Sequence, residues 1–382
     1  MIITVINLSS FRRFSKETFS FSSHTTIIVG ANASGKTSIL EAIYLLALGK
    51  SFRAERDMDT IAFESEIARV KGVINNPITQ STNNPINEKI QKKDDNNVQL
   101  EMILTKGEVA KITTPLKKFM VGGVSKRMVD FVGNLKIVLF WPQDLELVTY
   151  SPSLRRRYLD YVLSQTDREY RRTLVSYERG LRQRNSLLET IRERGASRSQ
   201  LLFWDQLLIR QGEYITKKRK EYIEFVNNHE LRTKNLKQAS PNYQLRYDSS
   251  IISRQRLDQY SEAEVAAAVT LVGPHRDDMV FQIQNPKSKI QKDYYISLSE
   301  FGSRGEQRLA VLWLKLAELS YIEKTTGEKP VLLLDDVLSE LDHEHRHKIF
   351  FIMGKQQTIL TITDKHFIEL DLLKDAKIIE LR

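Results

Sequence analysis

Residues 30–37 carry the pattern that most constrains this chain: they read Gly-Ala-Asn-Ala-Ser-Gly-Lys-Thr and match G-x-x-x-x-G-K-[ST]. The apolar run Thr26–Val29 precedes the pattern and predicts a strand, while residues 38–46 carry apolar side chains at helical spacing. In a strand–loop–helix unit, the loop offers backbone N–H groups and a helix N-terminus to phosphate. The sequence therefore predicts a phosphate-binding loop (P-loop). The alternative is a chance glycine turn, which would not explain the predicted strand before the loop or the helical spacing after it.

The P-loop also predicts how a nucleoside triphosphate is held. Lys36 is expected to reach the β- and γ-phosphates, and the hydroxyl of Thr37 is expected to bind Mg²⁺. The expected cofactors are therefore ATP and Mg²⁺. The candidate nucleotide-binding residues of the loop are Gly30, Ala31, Asn32, Ala33, Ser34, Gly35, Lys36 and Thr37.

Two aspartates follow a short apolar run in the last quarter of the sequence. The run Val331–Leu334 does not alternate with polar residues, which predicts a strand buried on both faces. Asp335 then has the position of a Walker B aspartate, whose carboxylate would hold Mg²⁺ together with Thr37. Asp336 is placed to orient or polarise an attacking water. An acidic turn after a strand is the alternative, and the upstream P-loop favours the catalytic interpretation.

A glycine-flanked serine begins the helix that precedes this strand. Residues 301–308 read Phe-Gly-Ser-Arg-Gly-Glu-Gln-Arg and open a long amphipathic segment. A serine at a helix N-terminus is suited to an anion, although an ordinary N-cap gives the same pattern. Because the segment lies shortly before the Asp335 strand, we interpret Ser303 and Gly305 as candidate nucleotide contacts.

The pattern of elements predicts an α/β fold divided into three stretches. Residues 1–150 form the first part of an ATPase head, interrupted at 75–97 by an Asn-rich segment with two prolines that is expected to be a flexible insertion. Residues 151–264 predict long helices, a helical arm, interrupted by glycines. Residues 265–382 return to strands and form the second part of the head. The expected architecture is one discontinuous P-loop ATPase head with an inserted α-helical arm.

Positive charge is concentrated in the arm. The chain has a net charge of +10, and residues 151–264 hold 23 Lys and Arg against 15 Asp and Glu. A regional excess of this kind favours contact with nucleic acid, and a solvated helix face is the alternative. The candidate DNA-contacting residues are Arg155, Arg156, Arg171 and Arg182.

Several classes of protein are excluded by composition. The sequence has no cysteine, which rules out disulfides and thiolate metal sites. No apolar run approaches the roughly 20 residues that a membrane-spanning helix needs. The first residues, Met1–Leu8, read as a strand and lack the basic leader of a signal peptide. We therefore expect a soluble, cytoplasmic protein.

Taken together, the motifs resemble those of the RecF family, a branch of the ABC/SMC-type ATPases. The resemblance covers nearly the whole chain in the family's order, and the insertion at 75–97 lies outside it. Two residues depart from the family pattern: Gln143 stands where an acidic residue is usual, and Tyr150 where glycine is usual. The blocks that carry the resemblance are Gly302–Gln307 (the ABC signature), Leu332–Asp342 (Walker B and D-loop), Leu271–Asp278, Pro142–Asp160 and Asn7–Phe14.

The resemblance implies a dimeric switch. In ABC-type ATPases, ATP on the P-loop of one subunit is covered by the signature serine of the other, here Lys36 and Ser303. RecF-like proteins then bind gapped DNA or duplex–single-strand junctions and help RecO and RecR load RecA. The family also implies a slow, DNA-stimulated ATPase, because Asp336 replaces the catalytic glutamate of most ABC enzymes. Gln143 would be the Q-loop glutamine that contacts the γ-phosphate, completing a catalytic set with Lys36 and Asp336.

Two other functions remain open from the residues alone. A P-loop enzyme acting on a small molecule, such as a kinase, would need neither the Ser303 block nor a basic arm. An SMC-like structural ATPase would need long heptad coiled coils, for which residues 151–264 are too short. DNA-stimulated ATP hydrolysis separates the leading hypothesis from the first of these.

Overall fold

A computed structural model gives the fold and describes residues 1–75, 97–229, 243–284, 295–340, 346, 350, 353–363 and 376–381, with backbone alone at 339 and 340. Apart from its two end residues, the insertion predicted at 75–97 lies outside the described residues. Those end residues pair with each other across two antiparallel strands, Asn75 opposite Asn97. The insertion therefore connects two neighbouring strands of one sheet.

The described strands and helices occur in runs along the chain. The strands are β1 (Ile2–Phe11), β2 (Phe14–Ser20), β3 (Thr25–Gly30), β4 (Ile67–Asn75), β5 (Asn97–Thr105), β6 (Glu108–Val109), β7 (Ile112–Thr113), β8 (Lys117–Val121), β9 (Val124–Lys126), β10 (Ile137–Phe140), β11 (Tyr243–Asp248), β12 (Asp278–Gln284), β13 (Tyr295–Ser297), β14 (Val331–Asp335), β15 (Thr358–Ile362) and β16 (Lys377–Leu381). The helices are α1 (Lys36–Leu48), α2 (Met128–Phe131), α3 (Glu146–Thr149), α4 (Pro152–Thr166), α5 (Arg168–Arg194), α6 (Leu202–Asn227), α7 (Arg254–Gln259), α8 (Ser261–Ala267), α9 (Leu298–Phe301) and α10 (Arg304–Thr326).

The chain divides into two compact units, one made of residues 1–142 and 322–382 and the other of residues 143–321. The division predicted from the sequence instead assigned residues 143–150 and 265–321 to the head. These residues group with the helices because β12 pairs antiparallel with β11 and its buried side chains belong to the same apolar core as those of α4, α6 and α10. No helix among the described residues is both long and apolar enough to cross a membrane.

A five-stranded parallel sheet is the centre of the first unit. Its order is β10-β14-β15-β3-β16, so β15 separates the P-loop strand β3 from the aspartate strand β14. Every residue of β10, β14 and β15 is buried, as predicted for parallel strands covered on both faces. The register places Asp335 opposite Thr361 on β15. The carboxyl ends of these strands therefore gather polar groups beside the P-loop.

A six-stranded antiparallel sheet, in the order β2-β1-β4-β5-β8-β9, forms the other layer of this unit. Buried and exposed residues alternate along β4, the pattern of a sheet with one covered face. Helix α1 contacts strands of both sheets, and all but one of its side chains are buried. An apolar helix between two sheets fixes the start of α1, and with it the P-loop, in position.

An antiparallel pair of long helices, α5 and α6, dominates the second unit. The pairing is fixed by Arg184 of α5 against Asp205 of α6, and by Tyr170 of α5 against Arg219 of α6. Both helices run through glycines that looked like interruptions in the sequence. A Cβ at Gly180 would lie 2.7 Å from the Leu207 side chain, so glycine there allows the two helices to approach closely.

Candidate nucleotide site and basic helical surface

The P-loop begins helix α1 with a backbone that only glycine adopts easily. Gly35, the residue before the helix, has φ of 99°, in the left-handed region. A Cβ at this position would lie 2.7 Å from the Phe14 ring and 2.9 Å from the Arg13 side chain. Arg13 also donates a hydrogen bond to the carbonyl of Ala33 at 2.6 Å. The turn between β1 and β2 therefore supports the loop from outside.

The polar groups of this loop fit a bound phosphate. Gly35 gives α1 no side-chain cap, and the first turn of the helix carries no acidic residue. The helix N-terminus thus keeps backbone N–H groups for an anion. Among the described residues, the hydroxyl of Ser34 is buried without a hydrogen-bond partner. Lys36 Nζ lies over the loop and donates to the carbonyls of Gly30 at 2.6 Å and Ala31 at 2.9 Å.

The acidic end of β14 lies directly beside the helix start. Thr37 Oγ1 donates to Asp335 Oδ1 at 3.0 Å, and Thr361 Oγ1 donates to the same oxygen at 2.8 Å. Burial raises the pKa of Asp335, while these two hydroxyls and the nearby Arg53 act in the opposite direction. A carboxylate and a hydroxyl that already touch form a fitting pair of oxygen ligands for Mg²⁺.

Asp336 has an unusual backbone for a residue with a side chain, with φ of 52°. Its N–H donates to Thr361 Oγ1 at 3.0 Å, so one threonine orients both aspartates. Burial raises the pKa of Asp336, and the charge of Lys36 opposes that shift. A carboxyl group in the field of Lys36, on a backbone that Thr361 fixes, is suited to act on a water near the terminal phosphate.

A buried carboxylate ties the P-loop helix to the rest of its unit. Glu41 of α1 is fully buried and accepts two hydrogen bonds from Arg12, at 2.8 and 2.7 Å. It also accepts a hydrogen bond from Ser51 Oγ at 2.5 Å. Such bidentate, charge-assisted contacts are among the stronger polar interactions in proteins. They hold the Arg12–Arg13 turn against the helix that carries Lys36 and Thr37.

In the second unit, Ser303 begins α10 with a reciprocal pair of hydrogen bonds. The N–H of Ser303 donates to Glu306 Oε2 at 2.7 Å, and the N–H of Glu306 donates to Ser303 Oγ at 3.2 Å. This arrangement is a capping box. Ser303 and Gly305 are both exposed, so the cap leaves this end of the helix open to a partner. Among the described residues, a Cβ at Gly305 would come within 4 Å of the Ser303 hydroxyl alone, at 3.9 Å.

Gln143 is exposed on the 3₁₀ turn Pro142–Leu145. The residue after it, Asp144, is buried and forms an ion pair with Lys315 of α10, with 3.0 Å between Lys315 Nζ and Asp144 Oδ1. Lys315 also lies 3.7 Å from Glu318, whose pKa burial raises to about 7. The Gln143 turn is therefore fixed to the helix that Ser303 begins.

Two of the predicted DNA-contacting arginines have partners within their own unit. Arg155 is buried and makes a bidentate ion pair with Asp278, at 2.6 and 2.9 Å. Arg156 is half-buried and donates to the backbone carbonyl of Asp277 at 2.7 Å. Both guanidinium groups act inside the unit, because α4 packs against the start of β12. Their contact with phosphate stays a prediction, and neither side chain is among the exposed arginines of the unit.

The other two arginines differ from each other. Arg171 is half-buried and donates to the backbone carbonyl of Ser164, so it is also engaged within the unit. Arg182 is exposed on α5 and belongs to a row of exposed residues spaced by four, three, four and three positions. That spacing keeps side chains on one face of a helix, here the face opposite the residues that contact α6. We call this row the α5 face: Arg168, Arg172, Val175, Arg179 and Arg182.

Beneath the helices lies a buried polar network. Asp277 is fully buried and accepts hydrogen bonds from Arg219 at 2.9 Å, from the Ser250 N–H at 2.7 Å and from the Tyr247 hydroxyl. Arg219 also reaches Asp160 at 2.8 Å. Burial raises the pKa of Asp277, and Arg219 opposes the shift. A network this well paired fixes the helices to the small β11-β12-β13 sheet.

The architecture and these motifs match known proteins. A model of the RecF/RecN/SMC N-terminal domain matches residues 2–374. The DNA replication and repair protein RecF of Herpetosiphon aurantiacus is 35% identical, covering 95% of this chain and 94% of its own length. The protein of the same name from Lachnoclostridium phytofermentans is 34% identical, covering 95% and 93%. The chain belongs to the RecF family.

Solved structures agree with this membership. A structure of the recombination mediator protein RecF with ATP, in the RecFOR pathway, matches with a TM-score of 0.80 at 31% identity, covering 96% of this chain and 93% of that one. An Smc head domain from Pyrococcus furiosus matches with a TM-score of 0.50 at 16% identity, which shows the fold alone. The predicted α/β fold of an ABC-type P-loop ATPase head is confirmed for this RecF-family chain.

Some residues of the RecF-type site escaped the sequence analysis. Thr361 lies on a strand that was predicted, but its contact with Asp335 depends on the strand order. Arg12 and Glu41 are 29 positions apart and meet only in the fold. A signal was available for Glu41, because it is the one charged residue inside an otherwise apolar stretch of helix at 38–48.

Proposed function

We propose that this RecF-family chain is an ATP-dependent DNA-binding protein of recombinational repair. It dimerises on ATP, clamps gapped DNA or duplex–single-strand junctions, and assists RecA loading together with RecO- and RecR-type mediators. The observation that carries the proposal is the P-loop whose Thr37 already contacts Asp335. Family membership supports the DNA-repair role, and DNA as substrate would place the protein in the cytoplasm.

The nucleotide and metal fit the residues present. The loop Gly30–Thr37 would hold the phosphates of ATP, with Lys36 exchanging its loop carbonyls for phosphate oxygens. Thr37 and Asp335 would hold Mg²⁺, which supplies positive charge against the phosphate oxygens. The buried, unpartnered Ser34 hydroxyl lies in the same loop and supports a polar ligand there.

Hydrolysis is proposed to depend on Asp336 and Gln143. The backbone of Asp336 is fixed by Thr361, and its carboxyl group lies in the field of Lys36, so it would accept a hydrogen bond from a water and align it. Gln143 is exposed on a turn that the Asp144–Lys315 ion pair fixes, and it would sense the γ-phosphate. An aspartate where most ABC enzymes have a glutamate favours slow turnover, and DNA is proposed to stimulate the rate.

Dimerisation is proposed to complete each site in trans. Ser303 and Gly305 would cover the γ-phosphate held by Lys36 of a second copy. The exposure of Ser303 and Gly305 supports this role, because both lie at the N-terminus of a 23-residue helix, an end that favours an anion. A two-fold axis gives two equal sites from one self-complementary surface.

DNA contact is proposed for the α5 face instead of the buried arginines. Arg172, Arg179 and Arg182 span about 15 Å of helix at 1.5 Å per residue. An exposed row of guanidinium groups suits the phosphates of a DNA backbone and carries no preference for base sequence. We retain Arg182 from the sequence analysis and add its two neighbours.

One experiment tests the proposal against its rivals. Sedimentation velocity is run with ATP, with ADP and without nucleotide, and ATP hydrolysis is measured with and without gapped duplex. We expect dimers with ATP but not with ADP or without nucleotide, and faster ATP hydrolysis when gapped duplex is present. If the protein stays monomeric with ATP and hydrolyses ATP at the same rate with and without gapped duplex, the result would instead support a P-loop enzyme acting on a small molecule.

A further inference from the structure

A large apolar side chain is exposed next to the serine that begins α10. Phe301 is 67% exposed and precedes Ser303 by two positions. It ends the short helix α9, whose first residue, Leu298, is fully buried. Single exposed apolar residues are common on protein surfaces, so exposure by itself decides nothing. Phe301 differs from such residues because the backbone on both sides of it is fixed by hydrogen bonds.

The turn that carries Phe301 is fixed by two hydrogen bonds to one carbonyl. The carbonyl of Leu298 accepts from the Gly302 N–H and from Gln307 Nε2, each at 3.1 Å. Gln307 Nε2 also lies 3.3 Å from the carbonyl of Gly302, and its side chain is buried. The capping box of Ser303 and Glu306 closes the other side of the turn. The backbone on both sides of Phe301 is therefore held in place.

The residue between Phe301 and Ser303 cannot relax this turn. A Cβ on Gly302 would lie 2.5 Å from Leu298 Cδ1 and 2.6 Å from the Leu298 carbonyl oxygen. Gly302 thus packs directly against the start of α9. Leu298 turns inward while Phe301, one helical turn later, stays outside. A rigid aromatic side chain loses little conformational entropy on binding and is the kind of residue that anchors interfaces.

We infer that Phe301 is an apolar anchor of the ATP-dependent interface, packing against the P-loop surface of a second copy of this chain. The inference rests on the proposed function, which brings Ser303 to the triphosphate of the other copy. Two residues of chain span at most about 7 Å, so any surface that Ser303 reaches also lies within reach of the Phe301 ring.

The surface on the other side of this contact carries small side chains, two of which are apolar. Residues 31–33, Ala-Asn-Ala, are exposed at the tip of the P-loop. Two alanines leave room for an aromatic ring to lie flat against the loop beside the phosphates. The exposed Arg304 would lie next to the ring, where its charge favours the phosphates of the same site. Apolar packing and charge would then act on one nucleotide-bound surface.

Two-fold symmetry fixes the size of the expected effect. An ATP-bound homodimer holds two copies of Phe301, so the substitution Phe301→Ala removes both. If each ring contributes about ten-fold to the dimer constant, a modest value for a buried aromatic anchor, the homodimer should weaken about 100-fold. ATP binding to the monomer should stay unchanged, because Phe301 does not belong to its own P-loop.

The decisive experiment places the same substitution on either chain of a defined heterodimer. A Lys36→Ala chain mixed with a Ser303→Arg chain can form one complete site, made from the P-loop of the second and the serine of the first. Phe301→Ala is added either to the Lys36→Ala chain, beside the serine in use, or to the Ser303→Arg chain, beside the blocked serine. ATP-dependent association is measured by sedimentation with one chain fluorescently labelled.

The first placement should weaken association about ten-fold and the second should leave it within two-fold of the parent mixture. Equal effects of the two placements, or no effect of either, overturn the anchor while leaving the trans site intact. A parent mixture that does not associate with ATP overturns the trans site and the anchor together. Phe301→Leu should recover part of the loss, and Phe63→Ala, which removes a ring that is 96% exposed, serves as the matched control without effect.

Discussion

The two groups of arginines in the second unit should respond in opposite ways to substitution. The triple variant Arg172→Gln, Arg179→Gln and Arg182→Gln removes exposed charges of the α5 face. Arg155→Gln instead removes one member of a buried, bidentate ion pair with Asp278. The first change should affect DNA binding alone, and the second should affect stability alone.

The size of the DNA effect follows from counterion release. Each lost phosphate contact lowers the slope of log affinity against log salt by about 0.9 on duplex DNA, so three contacts lower it by about 2.7. Between 50 and 200 mM salt, the affinity of the unmodified protein should therefore fall about 40-fold more than that of the triple variant. The melting temperature of the triple variant should stay close to that of the unmodified protein, because none of the three side chains is buried.

The stability effect has a different origin. Arg155→Gln leaves the carboxylate of Asp278 without its partner in a largely buried position, which costs on the order of 3 kcal/mol. Its salt slope on DNA, measured well below its melting temperature, should match that of the unmodified protein. Fluorescence anisotropy with labelled gapped duplex at five salt concentrations and thermal unfolding give both quantities. An unchanged slope in the triple variant, or an equal drop in Arg155→Gln, would refute the assignment of the α5 face.

Three other outcomes are expected. Lys36→Ala should abolish ATP binding, whereas Asp336→Asn should bind ATP and accumulate as a dimer; equal loss of binding in both, measured by isothermal titration, contradicts their separate roles. Burial raises the pKa of Glu318 to about 7 from an ordinary 4.5, so the folded state binds its proton more tightly than the unfolded state does. The contribution of Glu318 to the free energy of unfolding therefore decreases as the pH rises from about 4.5 to 7. Glu318→Gln keeps the contact with Lys315 and cannot ionise. At pH 8 its free energy of unfolding should exceed that of the unmodified protein by about 3 kcal/mol, and at pH 4 the two should be equal. Urea unfolding at both pH values tests this, and an equal difference at pH 4 and pH 8 would contradict it. Replacing the insertion at 75–97 with a short Gly-Ser bridge should leave the melting temperature and ATP hydrolysis close to native, because the segment has little apolar surface, and a fall of more than several degrees would show that it packs.

Local pattern was sufficient for much of the fold. The P-loop strand, helix α1, the buried strand ending at Asp335 and the long helices were all predicted, because each has a strong periodicity or a complete motif of its own. The helices even continue through Gly180, which the sequence presented as a break. That glycine reflects close packing with α6, a cause that a single segment cannot reveal.

The arginines of the second unit show that a local sequence pattern does not predict which charged side chains are buried in ion pairs. Arg155 and Arg182 look alike in the sequence, since both lie on basic helices with apolar residues nearby. Their roles differ because Asp278, 123 positions after Arg155, folds against α4 and takes up its charge. In the same way, Thr361 meets Asp335 only because β15 lies between the P-loop strand and β14. Long-range pairing of this kind depends on strand order and helix packing, which no local window contains.

The most direct test of a nucleotide site shared between two copies is the mixture of Lys36→Ala and Ser303→Arg chains, titrated at constant total protein. Each variant alone should remain monomeric with ATP, the first for lack of bound nucleotide and the second for lack of a covering serine. The mixture should form ATP-dependent dimers whose yield is greatest at equal proportions of the two chains. If Ser303→Arg alone dimerises with ATP and hydrolyses it at the normal rate, Ser303 is only a helix cap and the shared site does not exist.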